Sequence, residues 1–130
     1  MVILIAYDGS ESSDSAVNLA VSHAKAFDAE IRVAYSMEEG KEDDMEDIDS
    51  AKAKLEAVEQ TVSKAGINCK THLLIRGCAP GEDIVRFAEE AKADEIVIGI
   101  RRKSKVGKFI FGSTAQFVIL EAECPVVTVK

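Results

Sequence analysis

Apolar and polar positions along this chain fall into two alternating rhythms. Val2 to Tyr7 is an unbroken apolar run that ends in Asp-Gly-Ser, which predicts a buried strand followed by a turn. From Glu11 to Phe27, Ala16, Leu19, Ala20, Ala24 and Phe27 recur at helical spacing, with Ser10 or Ser12 as the cap. "EIRVAYS" at 30–36 is rich in β-branched and aromatic residues and predicts a second strand. Strong helix formers fill 50–66 and close on Gly66, a helix-ending signal. "INCKTHLLI" at 67–75 predicts a strand with one less-buried face. Pro80 opens a further helix, backed by Ile84, Val85, Phe87, Ala88 and Ala91. "EIVIGI" at 95–100 reads as an apolar strand, "GSTAQFVILEA" as a helix and "PVVTVK" at 125–130 as a last strand.

Strands alternating with helices in this way predict an α/β fold, a parallel sheet covered on both faces. The first and fourth strands are the most apolar and belong in its centre, because strands buried on both sides read as continuous apolar runs. Over 130 residues, with no repeat, linker or low-complexity tract, this is expected to be one domain, 1–130. The longest apolar run is too short to span a bilayer, and no basic region precedes it as in a secretory signal. Cys69, Cys78 and Cys124 form no CxxC pair and are odd in number, as expected of reduced thiols in the cytoplasm.

Charge alters this picture at two places. The chain carries a net −7, which argues against bulk nucleic-acid binding. Yet Arg101, Arg102, Lys103, Lys105 and Lys108 crowd between Gly99 and Gly112 without an acid among them, so the rest of the chain carries −12. The opposite extreme is 37–49, with eight acids and one lysine, read as a solvated and partly mobile loop whose like charges repel.

In an open α/β sheet, ligands sit beyond the carboxyl ends of the strands where the strand order reverses. Adjacent first and fourth strands would bring "YDGS" and "GIRRKSKVG" to one crevice. The helix expected to begin at "GST" adds backbone N–H groups and a positive dipole end, a setting that suits phosphate. Gly112 would admit a phosphate to the backbone, with Ser113 and Thr114 as hydroxyl donors. A solvated basic loop followed by an ordinary helix cap accounts for the same residues. No P-loop and no GxGxxG is present to decide between them. Asp8 divides in the same way between a ligand hydroxyl acceptor and a turn residue. His23 and His72 lack clustered partners at metal spacing and read as structural. No nucleophile–base arrangement can be assembled, so catalysis is not expected beyond a slow ATPase.

Taken in order, "ILIAYDGSESSDSAVNLA", "GCAPGEDIVRFAEEAKADEIVIGI" and "FGSTAQFVILEAECPVVTVK" resemble single-domain members of the universal stress protein family, over nearly the whole chain. The resemblance implies a five-stranded parallel sheet of order 3-2-1-4-5 in a Rossmann-like, adenine nucleotide alpha hydrolase-like fold. It also implies a stress-response regulator, paired as a homodimer through the terminal strand at 125–130. ATP-binding relatives carry Gly-x-x-Gly, nine residues and then Gly-Ser or Gly-Thr. Here Gly99 and Gly112-Ser113 match, and Arg102 stands where the second glycine would be. By position, Asp8 would contact ribose, backbone near Ala34 and Tyr35 would border adenine, and Gly99, Gly112, Ser113 and Thr114 would hold phosphates of ATP, alone or with Mg2+. Arg102 would either obstruct phosphate or clamp it with a charge-assisted bond. The alternative is a dimeric interaction protein without nucleotide, whose basic loop docks an acidic protein partner.

Overall fold

Ile3, Leu4 and Ile5 are fully buried in the central strand of the molecule, β1 (Val2–Ala6). Burial of each such side chain contributes about 2 kcal/mol. The computed structural model describes residues 1–38, 44–100 and 112–130. Parts of the acidic run (39–43) and of the basic stretch (101–111, with Arg102) lie outside the described residues. After β1 come α1 (Glu11–Phe27), β2 (Glu30–Ser36), α2 (Asp44–Lys64), β3 (Cys69–Leu74), α3 (Pro80–Glu90), β4 (Glu95–Gly99), α4 (Ser113–Glu121) and β5 (Val126–Val129).

All strand pairings are parallel and the order is β3-β2-β1-β4-β5. Ala6, the last residue of β1, lies opposite Ala34 of β2 on one side and Ile98 of β4 on the other, so β2 runs two residues past it, to Ser36, and β4 one, to Gly99. The side-chain period of two then sorts the core into two layers. Ile3, Ile5, Val33 and Val97 pack beneath α1 and α2. Leu4, Ala6, Ala34, Ile96 and Ile98 pack beneath α3 and α4. This is a parallel sheet with helices on both faces, as the alternation of strands and helices implies, in the Rossmann-like order that the family resemblance implies.

Local chemistry sets the helix starts. Ser10 caps α1, its hydroxyl accepting the Ser13 N–H at 3.2 Å. Pro80 occupies the first turn of α3, where its missing N–H costs nothing. Two expectations need correction. α2 begins at Asp44, so 44–49 of the acidic run is helix and not loop. Exposed Glu46 and Asp47 sit in its first turn, where the positive end of the helix dipole favours them. β4 is also not wholly apolar: Glu95 is 8% exposed and its Oε1 lies 2.7 Å from His23 Nδ1 on α1. That contact supports the structural reading of His23. His72 lies against the Phe87 ring at a centroid distance of 4.6 Å.

Candidate functional site

The carboxyl ends of β2, β1 and β4 form the floor of a cavity of about 390 Å3. β1 continues into Tyr7, whose N–H still bonds Ala34 O at 2.9 Å. The chain then turns through Asp8 and Gly9. Asp8 Oδ1 accepts the Ser10 N–H at 2.9 Å, and Gly9 takes φ +82°, a left-handed conformation suited to glycine. The turn delivers Ser10, Ser12 and Ser13 to the cavity from the first turn of α1, with Ser10 and Ser12 Oγ 3.1 Å apart.

Three helices present their amino-terminal ends to this space: α1 through those serines, α3 through Pro80, and α4 through Gly112, Ser113 and Thr114. The first N–H groups of a helix have no partner within it, and their summed dipole favours negative charge. At α4 the cap is Gly112, which makes no side-chain cap bond. Among the described residues a Cβ at Gly112 would meet nothing within 4 Å, so their packing does not demand glycine there. Gly99 is different. A Cβ at Gly99 would fall 2.6 Å from Ser12 Oγ and closer still to the Ser12 backbone, so this glycine lets α1 approach the end of β4.

The remaining walls are apolar on one side and networked on another. Pro80, Ile84 and Ile98 supply hydrocarbon surface. Ser36, the last residue of β2, donates to Asp83 Oδ2 at 3.0 Å, and Asp83 is completely buried. Arg76 Nε donates to Asp83 Oδ1 at 2.6 Å, while Arg76 Nη1 spans both Glu90 oxygens at 2.8 and 2.9 Å. Tyr7 donates its hydroxyl to Asp14 at 2.8 Å. Burial, together with Asp14, holds that hydroxyl protonated far above the ordinary tyrosine range. Burial, with Asp8 and Asp47 nearby, raises Tyr35 as well. Both are therefore donors rather than bases. Among the described residues no group of three or more His, Cys, Asp or Glu side chains could hold a metal ion.

Of the residues singled out from sequence, Asp8, Gly99, Gly112, Ser113 and Thr114 meet at this cavity. Ala34 and Tyr35 are not among its lining. Ala34 is fully buried between Ala6 and His72, and Tyr35 points to the opposite face, its ring edge-on to Tyr7 at 6.1 Å. Arg102 lies outside the described residues. Sequence reasoning missed Ser36, although the strand period places it on the same face as Ala34 and one step nearer the crevice.

Comparison with known proteins bears on the whole chain. A universal stress protein of Thermus aquaticus is 35% identical, the match covering 98% of this chain and 97% of that one. The structure of a universal stress protein from Archaeoglobus fulgidus superposes with a TM-score of 0.92 at 39% identity, covering 100% and 98% of the two chains. A second Archaeoglobus fulgidus structure, of the universal stress protein in complex with dAMP, gives 0.84 at 36% identity with the same coverage. No helix among the described residues is long and apolar enough to cross a membrane. Since the universal stress protein family model also matches residues 1–130, the chain belongs to that family.

Proposed function

We propose that this protein binds an adenine nucleotide in the crevice above β1, β2 and β4 and acts as a regulator whose partner affinity depends on that ligand. The observation that carries the reading is the joining, in one cavity, of Asp8 with the uncapped amino-terminal end of α4. Asp8 is the acceptor for a sugar hydroxyl. The α4 N–H groups, with Ser113 and Thr114, are donors for phosphate, and Gly112 leaves room for it. The dAMP complex of the Archaeoglobus fulgidus protein supports this reading. Gly99 serves by packing and Arg102 as a cationic phosphate contact. A ligand shifts a partner equilibrium only through different affinities for two states, so binding and partner capture must be linked.

Calorimetry with ATP, with and without Mg2+, on protein stripped of nucleotide tests the reading. Saturable binding, weakened about tenfold in Ser113→Ala by loss of a bond to a charged phosphate, is expected. Absence of binding to the wild type refutes it. If Arg102→Gly then binds, the arginine has closed the site. The basic stretch would then serve an acidic protein partner.

The chain also forms a homodimer through β5 in this reading, in the cytoplasm. Among the described residues β5 has β4 as its one sheet neighbour and ends the sheet, and an edge of that kind is a surface that proteins cover or pair. Light scattering that returns a monomer mass at micromolar concentration would refute the pairing.

A further inference from the structure

We propose that Ser36 reads the base of the bound nucleotide as a hydrogen-bond acceptor, and that Asp83 fixes it in that role, so that the crevice selects a 6-aminopurine over a 6-oxopurine. The inference rests on the nucleotide reading above and adds a specificity residue to it.

A serine hydroxyl has one proton and two lone pairs. Ser36 commits its proton to Asp83 Oδ2 at 3.0 Å, so what remains for the cavity it lines is acceptor capacity. The commitment is held from behind. Asp83 has no exposed surface, and Arg76 donates to its Oδ1 at 2.6 Å and to its backbone oxygen at 3.3 Å. Glu90 in turn grips Arg76 through two bonds. A carboxylate so engaged is an acceptor toward Ser36, and among the described residues the network shows no donor to the Ser36 hydroxyl.

Position makes Ser36 a base-reading group. The phosphate donors lie at α4, beside the end of β4, and Asp8 follows β1 in the middle. Ser36 ends β2, two strand spacings from β4, about 10 Å. A nucleotide with its phosphate at the β4 side and its base toward β2 would lie across this width. Pro80 and Ile84 give the ring face an apolar wall at the same cavity. Adenine carries an N–H2 donor at position 6, whereas the 6-oxo bases carry an acceptor there. An acceptor facing Ser36 would leave two lone pairs opposed, and a site built to pair one group rejects the analogue that lacks it.

The test is the ratio of AMP to IMP dissociation constants by calorimetry, because the exchange at position 6 is the main difference between the two. The wild type is expected to favour AMP by about tenfold, and Ser36→Ala to lower that preference about fivefold by weakening AMP. In Asp83→Asn, Oδ1 stays toward Arg76 and the amide N–H2 faces Ser36. The hydroxyl proton is then released toward the cavity, and the preference moves further toward IMP than in Ser36→Ala. A ratio in both variants within about twofold of wild type, with AMP still bound, overturns the role of Ser36 and leaves the nucleotide site standing. Wild-type protein that binds neither nucleotide overturns both readings.

Discussion

Replacing Gly99 by alanine adds one carbon where the chain has no room for it. The new Cβ would lie 2.6 Å from Ser12 Oγ and closer to the Ser12 carbonyl group. The Ser12 hydroxyl can rotate away, but its backbone is fixed. It belongs to the first turn of α1, held by the Ser10 cap and by the Asp14 N–H to Ser10 O bond of 3.1 Å. Relief therefore requires α1 to shift from the sheet, which costs about 2–3 kcal/mol by analogy with overpacked cores. For a chain of this size that lowers the midpoint of thermal unfolding by about 6–12 °C. Urea unfolding followed by far-UV circular dichroism measures it, with an unchanged slope showing that stability alone has altered. Gly112→Ser is the companion variant. Its Cβ meets nothing within 4 Å among the described residues, its φ of −61° suits serine, and its hydroxyl can supply the cap that α4 lacks. Stability is expected to hold or rise by about 0.5 kcal/mol while nucleotide binding weakens through intrusion into the crevice. A Gly99→Ala protein within about 0.5 kcal/mol of wild type would refute the close approach of α1 to β4.

Asp83→Ala strands Arg76 and Ser36 without their shared acceptor and is expected to cost about 3 kcal/mol in the same urea assay; a loss below 1 kcal/mol would mean that the network is ornamental. Val62→Ala, at a fully buried position on the inner face of α2, should cost about 2 kcal/mol, and a neutral result would show that α2 does not seal this layer. Burial, and Glu59 after it, push the Cys69 thiol up to about 11, so iodoacetamide near pH 8 should spare Cys69 in the folded protein and modify it after urea; equal rates in both states would contradict its burial. Tyr7 and Tyr35 are raised by burial, so the unfolded chain loses these protons first. The stability tied to them is complete below about pH 10 and declines above it as the folded hydroxyls resist ionisation, so the urea midpoint should fall on passing from neutral to strongly alkaline pH. A midpoint flat through that range would count against the Tyr7–Asp14 bond.

Much of the fold was readable because periodicity is local. α1 and β2 begin and end where the apolar spacing and flanking turn residues place them, and the central position of β1 follows from its unbroken apolar run. The start of α2 was not, since charge density reads as repulsion until a helix amino terminus is supplied to receive it. The Glu95–His23 pair joins residues 72 apart in sequence, and no pattern along the chain announces it. At the crevice, the glycines and hydroxyls around Gly112 stood out by type and order. The separate work of Gly99 did not, because the atom it makes room for belongs to another element. Ser36 was passed over for its neighbours for a similar reason: its meaning comes from a carboxylate 47 positions on.

α1 is fastened to β4 at two levels. At the crevice end Ser12 rests on Gly99, and at the far end His23 meets Glu95. Eleven residues of helix cover about 16 Å and four residues of strand about 13 Å, so the two fastenings lie nearly opposite each other along the pair. Helix and strand thus behave as a riveted beam, resisting both sliding and tilt. One jaw of the crevice is braced in this way, and among the described residues a change of width on ligand entry is expected in the opposite jaw, built from α3 and α4.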